Sequence, residues 1–380
     1  MAEIAIVGAG PLGLATALML HREGLPVRLF DARPANAPSS EARVLALSEG
    51  SRQILDCLAA WPTTPTTPIT TIHVSQLGSF GSTVMRASEE GVAALGHVLP
   101  ATELIQQLQA QVTDAAIPIE YEALIALGEA GPETIRLQAK HRDGSTRDSV
   151  ETPLVLCCEG SVRAERGALV HDYQQHALLC RAQIADPHDN RAFERFTPDG
   201  PLALLPLGDD YAVVWTQPAA RAQALLAADD ADWLSALQLA FGTQVRFTAI
   251  RDRASYPLAL KLRLNPTAQR CVWLGNAAQT LHPVAGQGLN LALRDAWELV
   301  EAIREAQDPG DADVLARYAR GRALDRFAAA GFSDALVRSF GSRLPGLATA
   351  RGLGLTALSA LPPLRHFLAR RMIFGARAWP

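Results

Sequence analysis

A four-residue apolar run, Ile4-Ala5-Ile6-Val7, passes at once into Gly8-Ala9-Gly10-Pro11-Leu12-Gly13, and this junction constrains the chain more than any other feature. The apolar run reads as a buried parallel strand, and the pattern through Leu14, Ala17, Leu18 and Leu20 reads as a helix returning over it. Gly24 ends that helix, and a second strand, Val27-Arg28-Leu29-Phe30, finishes on Asp31. Strand, glycine-rich turn, helix and acid-tipped second strand together are far more specific than the glycine spacing alone, and they mark a dinucleotide site.

Each part has a physical task. Gly8 permits the tight turn, Gly10 lets the backbone approach a pyrophosphate, and Gly13 lets helix and strand pack closely. The turn, Ala9 included, aims the N–H groups of the helix start at phosphate charge. Asp31 is expected to accept hydrogen bonds from ribose hydroxyls, and its charge would repel a 2′-phosphate, which disfavours NADP here. NAD and FAD both remain open on these residues. The bland alternative, a glycine-rich turn in a nucleotide-free α/β protein, sits poorly with the full context.

At 380 residues, 48% hydrophobic and 19% charged, the chain buries a substantial core and is long enough for two interleaved domains. A formal net charge of −4 gives no basis for nucleic-acid binding. Cys57, Cys157, Cys158, Cys180 and Cys271 show neither metal-ligand spacing nor the density of a disulfide scaffold, so no metal and a reducing, cytoplasmic compartment are expected. No export signal or membrane-spanning stretch is visible.

Toward the other end, Cys271-Val272-Trp273-Leu274 is a further apolar strand. It leads into Gly275-Asn276-Ala277-Ala278-Gln279-Thr280-Leu281-His282-Pro283, and then Val284-Ala285-Gly286-Gln287-Gly288-Leu289-Asn290 opens an amphipathic helix. These segments resemble the aromatic hydroxylases among flavoprotein monooxygenases, which set a Gly-Asp pair and a His-Pro…Gly-Gln-Gly stretch beside the flavin. The run 275–283 is similar to that of the ubiquinone-pathway hydroxylases acting on 2-polyprenyl-6-methoxyphenol. Residues 43–47 resemble their flavin-proximal Arg segment, 93–98 and 172–175 their central segments, 192–197 and 200–206 their substrate-domain strands, and 255–258 the return to the flavin domain. The resemblance covers residues 1 to about 330.

The resemblance selects FAD over NAD and implies an α/β fold, a Rossmann-type FAD-binding domain with an interleaved antiparallel-sheet substrate domain. Residues 1–70, 97–175 and 263–330 are assigned to the first, 71–96 and 176–262 to the second, and 331–380 to a C-terminal helical segment. Cofactor contacts are expected from Gly8, Ala9, Gly10, Gly13, Asp31, Arg33, Arg43, Gln106, Asn276, Ala277, Gly286, Gln287, Gly288 and Asn290. Asn276 stands where the group has Asp and still accepts from a ribityl hydroxyl; Gln279 stands where the group often has His. Negative charge gathers near N1 and C2=O of reduced flavin, and a helix start there stabilises it. Residues 154–161 resemble an Asp-Gly segment in which Glu159 replaces Asp and the spacing to Arg163 is altered, which bears on how the nicotinamide reductant is engaged.

The implied reaction is O₂-dependent hydroxylation of a polyprenylated phenol, with NAD(P)H reducing FAD and the reduced flavin forming a C4a-hydroperoxide. His282 and Pro283 lie in the implied catalytic segment, where a histidine is as often structural as basic. Tyr211, Trp215 and Tyr256 are candidates to line an aromatic pocket, with at least two of them expected in plain core. The rival readings are a non-catalytic flavin-binding subunit working with other ubiquinone-biosynthesis proteins, and a flavoprotein dehydrogenase or prenyl reductase.

Strand-like runs at 178–184, 201–207 and 212–216 predict an antiparallel sheet roofing the substrate, with a hairpin turn at Asp209-Asp210. Residues 62–68 read as a surface loop. The last stretch carries Arg338, Arg343, Arg351, Arg365, Arg370, Arg371 and Arg377 against the single acid Asp334. It reads either as a packed terminal helix pair or as peripheral contact with the inner face of the cytoplasmic membrane, where each Arg contributes about 1 kcal/mol.

Overall fold

The structure is a computed structural model that describes residues 3–35, 43–140, 145–283, 286–341 and 346–375. Ile4–Val7 is buried on both faces, which explains its unbroken apolar sequence. It pairs in parallel with Val27–Phe30 on one side and with Val155–Cys157 on the other, and Val155–Cys157 pairs in parallel with Cys271–Trp273. Strands distant in sequence therefore share one sheet, and Gly8, Asp31, Glu159 and Gly275 follow their C-terminal ends along one edge. Ligands of open α/β sheets bind at such an edge.

Helices Pro11–Arg22, Ala101–Asp114 and Gln287–Ile303 cover one face of this sheet, where Leu14, Leu104, Leu108, Leu293 and Leu299 share a core with Ile4, Ile6 and Leu29. A three-stranded antiparallel sheet, Leu124–Ala130, Ile135–Lys140 and Thr146–Thr152, covers the other through Ile135 and Leu137.

The roof is an eight-stranded sheet in the order Gln279–Thr280, Phe247–Arg263, Ala168–Ile184, Asp210–Pro218, Gly200–Leu207, Arg191–Thr197, Thr71–Gln76 and Ser82–Arg86. Every pairing is antiparallel except Arg191–Thr197 with Thr71–Gln76. Its outward side chains, among them Phe193, Leu204, Val213 and Trp215, are buried beneath Ala219–Ala227 and Asp230–Phe241. The other face packs through Ala192, Leu207 and Ala212 on Ile69 and Val98 of a small antiparallel sheet formed by Val44–Ser48, Gly96–Pro100 and Thr67–Ile69.

Several expectations shift. The division at 175/176 falls inside one 17-residue strand, Ala168–Ile184, whose first half is largely exposed and so lacks the alternation that marks a half-buried strand. The division at 330/331 falls inside the 30-residue helix Ala312–Gly341. The loop at 62–68 ends in a strand, Thr67–Ile69, that pairs with Gly96–Pro100, and the hairpin turns at Gly208-Asp209, where Gly208 takes a positive φ of 61°. Tyr211 and Trp215 are core: Tyr211 donates to the Arg191 carbonyl at 2.8 Å and Trp215 meets Trp233 edge-on at 5.5 Å. Tyr256 is exposed.

The terminal arginines are largely engaged within the protein. Arg338 pairs with Asp334, Arg351 donates to the Ser339 and Phe340 carbonyls, Arg365 reaches Glu89, and Arg370 and Arg371 lie over the Phe374 and Phe367 rings. Arg343 and Arg377 lie outside the described residues. All five cysteines are free, and no helix among the described residues is long and apolar enough to cross a membrane.

Candidate cofactor and substrate site

Gly8 takes a φ of +102°, and a Cβ there would stand 2.6 Å from Glu159 Cβ. A Cβ at Gly13 would stand 1.8 Å from the Gly8 carbonyl oxygen, so close packing of helix on strand admits only glycine. Gly10 differs: its backbone is extended, and a Cβ would meet nothing within 4 Å. The helix start carries Pro11, which has no N–H to satisfy, and no side chain caps it. Open space in front of uncapped first-turn N–H groups is the arrangement a pyrophosphate requires.

Asp31 is 1% exposed and holds this turn together. Its Oδ2 accepts from the Ala9 N–H at 2.8 Å, and Arg33 donates to both oxygens through Nε at 3.0 Å and Nη2 at 2.8 Å. Burial works against the charge, but the Arg33 and Ala9 hydrogen bonds outweigh it and hold the carboxyl below its usual range. The direct ribose contact expected of Asp31 thus has competition: Arg33, itself more than half exposed, is the outward group. Gln106 is exposed on Ala101–Asp114, and Arg43 is exposed just before Val44–Ser48.

The turn after Cys271–Trp273 meets the first helix start. Gly275 has a φ of +55°, and a Cβ there would press to 2.6 Å on Leu12 Cδ2. Asn276 is exposed at the sheet edge, while Ala277 is buried. Gly286 caps Gln287–Ile303 in the left-handed region with no side-chain cap bond, and a Cβ at Gly288 would meet nothing within 4 Å. Both helix starts are uncapped, with open space at Gly10 and at Gly288, and each fits negative charge on a ligand.

Asn290 was expected at the cofactor, and here the structure corrects the sequence. Its Oδ1 accepts from the Ser48 N–H at 2.9 Å and from Ser51 Oγ at 2.7 Å, while Nδ2 donates to the Ala46 and Gly286 carbonyls at 3.0 and 2.8 Å. All four hydrogen-bonding positions of the amide are taken, so Asn290 clamps the helix to Val44–Ser48 and Glu49–Cys57 instead of reaching outward. Gln279 likewise turns inward, donating to Asp295 at 2.6 Å and accepting from Arg326 at 2.5 Å.

His282 is 1% exposed, with its ring edge-on to Tyr173 at 5.4 Å. Burial pushes its pKa down to about 4. An imidazole of that pKa is neutral at pH 7 and is a weak base, which favours the structural reading of the His282-Pro283 step.

An apolar cavity of about 70 Å³ lies between Val44–Ser48, the roof sheet and the final helix, Pro362–Phe374. Ala46, Ile72, Met85, Met372 and Ile373 border it, and Gln287 supplies its polar end. Nothing local in the chain signals that the tail lines this space, because contacts between residues 72 and 373 leave no local pattern. Arg365 and His366 pin the tail helix to Glu89 and Glu90 at 3.3 and 2.6 Å. A second cleft, of about 690 Å³, opens at the sheet edge beside Glu159, Ser161, Arg163, Lys261 and Trp273.

The comparisons agree with this geometry. A family model described as FAD binding domain matches residues 1–330. The chain is 30% identical over 373 residues to 3-demethoxyubiquinol 3-hydroxylase of Escherichia coli, covering 93% of this chain and 94% of that one. It is 29% identical over 400 residues to ubiquinone hydroxylase UbiL of Rhodospirillum rubrum, covering 100% and 91%. In fold it is similar to p-nitrophenol 4-monooxygenase PnpA from Pseudomonas putida, at 15% identity, a TM-score of 0.77 and 99% of both chains. The chain belongs to the FAD binding domain family, on its branch of FAD-dependent aromatic hydroxylases of ubiquinone biosynthesis.

Proposed function

We propose that this protein hydroxylates a polyprenylated phenol of the 2-polyprenyl-6-methoxyphenol type in ubiquinone biosynthesis, with NAD(P)H as reductant and O₂ as co-substrate. The observation that carries the reading is a pair of uncapped helix starts, at Gly10 and at Gly286, the first packed through Leu12 on the Gly275 turn at the sheet edge and the second flanked by an apolar cavity lined in part by Gln287. When bound, FAD supplies the oxygen chemistry. The first-turn N–H groups after Gly10 would hold its pyrophosphate, with Arg33 nearby. Asn276 would hold a ribityl hydroxyl, and the helix start at Gly286 and Gly288 would face the flavin ring, favouring negative charge there.

The protein's remaining tasks are positioning and exclusion of water. Ile72, Met85, Met372 and Ile373 offer an apolar wall against which the substrate would pack, and the tail helix supplies part of that wall. Arg163 and Lys261, which borders Ser161 at 2.9 Å, put positive charge in the second cleft, where the phosphates of a nicotinamide nucleotide would fit despite the exchange of Asp for Glu159. Exposed Leu361, Leu364 and Phe367, next to Arg365, Arg370 and Arg371, support peripheral contact with an anionic bilayer from which a prenylated phenol would arrive.

Anaerobic reduction of the FAD-loaded protein by NADPH, with and without a 2-polyprenylphenol, tests the reading. Reduction accelerated by the phenol supports it. Reduction by neither NADH nor NADPH under either condition would favour the non-catalytic flavin-binding subunit.

A further inference from the structure

One row of directly paired residues crosses the roof sheet through Thr83, Val74, Glu194, Ala203, Val214 and Leu179. Paired neighbours point to the same face of a sheet. That face is the inner one: Ala192, two residues before Glu194, packs with Ile69, Leu207 and Ala212, whereas Phe193 packs outward under the helices. Outward Phe193, Leu202 and Val213 are buried, yet Val74, Glu194, Ala203, Val214 and Leu179 all keep accessible surface. The middle of the inner face therefore borders space that side chains do not fill. In the adjacent row, Ile72 and Met85 line the apolar cavity.

Glu194 is the only ionisable residue in its row. Its Oε1 is fully buried and has no hydrogen-bond partner among the described residues. Burial alone pushes the carboxyl up to about 8, so it is mostly neutral at pH 7. A buried carboxyl without a partner is costly, and glutamine or leucine would fill the same place at less expense to folding. Carboxyls perturbed in this way cluster at functional sites.

We infer that Glu194 is the polar contact for the ring oxygen of the bound substrate, and that it makes the site specific for a free phenol over an ether. The inference rests on the function proposed above. A neutral carboxyl donates one O–H and accepts through its carbonyl oxygen. A phenol hydroxyl can accept from such a carboxyl and donate to it, so the two groups are complementary. An O-methyl ether has no proton to give and leaves the carboxyl's acceptor unpaired, which is the kind of loss that polar sites discriminate strongly.

The test uses full-length, FAD-loaded protein, with binding of 2-geranyl-6-methoxyphenol and of its O-methyl ether read from the flavin absorbance change. Wild type is expected to bind the phenol at least tenfold more tightly than the ether. Glu194→Leu is expected to reduce that ratio to about threefold or less, with FAD stoichiometry unchanged and a melting temperature equal to or above wild type. Glu194→Gln, which still donates and accepts, is expected to restore part of the preference. A tenfold preference surviving in Glu194→Leu would overturn the role of Glu194 while leaving the proposed function standing. Failure of wild type to bind either compound would overturn both.

Discussion

Arg322 Nε donates to Asp295 Oδ1 at 2.6 Å, and both side chains are 2% exposed. The same guanidinium reaches Glu298 and Asp325 at 2.6 Å each, and Asp295 passes the network on to Gln279. Ala312–Gly341 is thereby locked to Gln287–Ile303, the helix whose start faces the cofactor site. Removing Arg322 would strip buried Asp295 of its ion-pair partner, while Asp325 would keep Arg294. Arg322→Ala is expected to destabilise the protein by about 3–5 kcal/mol in urea unfolding. A loss below about 1 kcal/mol would show that water relieves the acids easily.

Gly10 and Gly13 separate binding from folding. Gly10→Ala adds a methyl group to open space at an ordinary φ, so the apoprotein should melt within a degree or two of wild type while FAD affinity falls at least tenfold. Gly13→Ala drives a methyl group into the Gly8 carbonyl and should destabilise the apoprotein as well. Thermal melts of stripped protein alongside FAD titration distinguish them. Equal FAD affinity in Gly10→Ala would remove the pyrophosphate from this turn.

His282 makes a pH prediction. Its imidazole titrates at about 6.5 when unfolded and about 4 in the buried native site. Between these values the unfolded chain holds a proton that the native chain lacks, so stability falls as pH drops through that window, by on the order of 3 kcal/mol in total, and the histidine adds no slope above it. His282→Gln should flatten the slope between pH 6.5 and 4, measured by urea unfolding. An unchanged slope would place the titration elsewhere.

Peripheral adsorption should be weak and salt-sensitive. The full-length protein is expected to float with anionic liposomes at low salt and to remain at the bottom of the gradient at high salt. Replacing Leu364 and Phe367 by serine should reduce flotation several-fold, since both are exposed and outside the cavity wall. No flotation of wild type at low salt would contradict membrane contact.

The parts of the fold legible in the sequence were those set by short-range chemistry. Ile4–Val7, the glycine turn and Asp31 follow one another within 28 residues, and every step has a backbone reason. Asn290 misled because an amide in a glycine-rich segment looks the same whether it faces a ligand or a neighbouring helix. Only the Ser48 and Ser51 contacts, made across long sequence separations, decide the matter. The wall that Met372 and Ile373 contribute had no local signal. Glu194 had one that went unread: an acid at an inward position of the strand Arg191–Thr197.

Turnover under ¹⁸O₂, with NADPH and 2-geranyl-6-methoxyphenol, distinguishes hydroxylation from every rival. The expected product carries one heavy oxygen atom on the ring and is formed only by FAD-loaded protein. Oxidised phenol or prenyl chain without heavy oxygen, or consumption of NADPH with no altered phenol at all, would contradict hydroxylation.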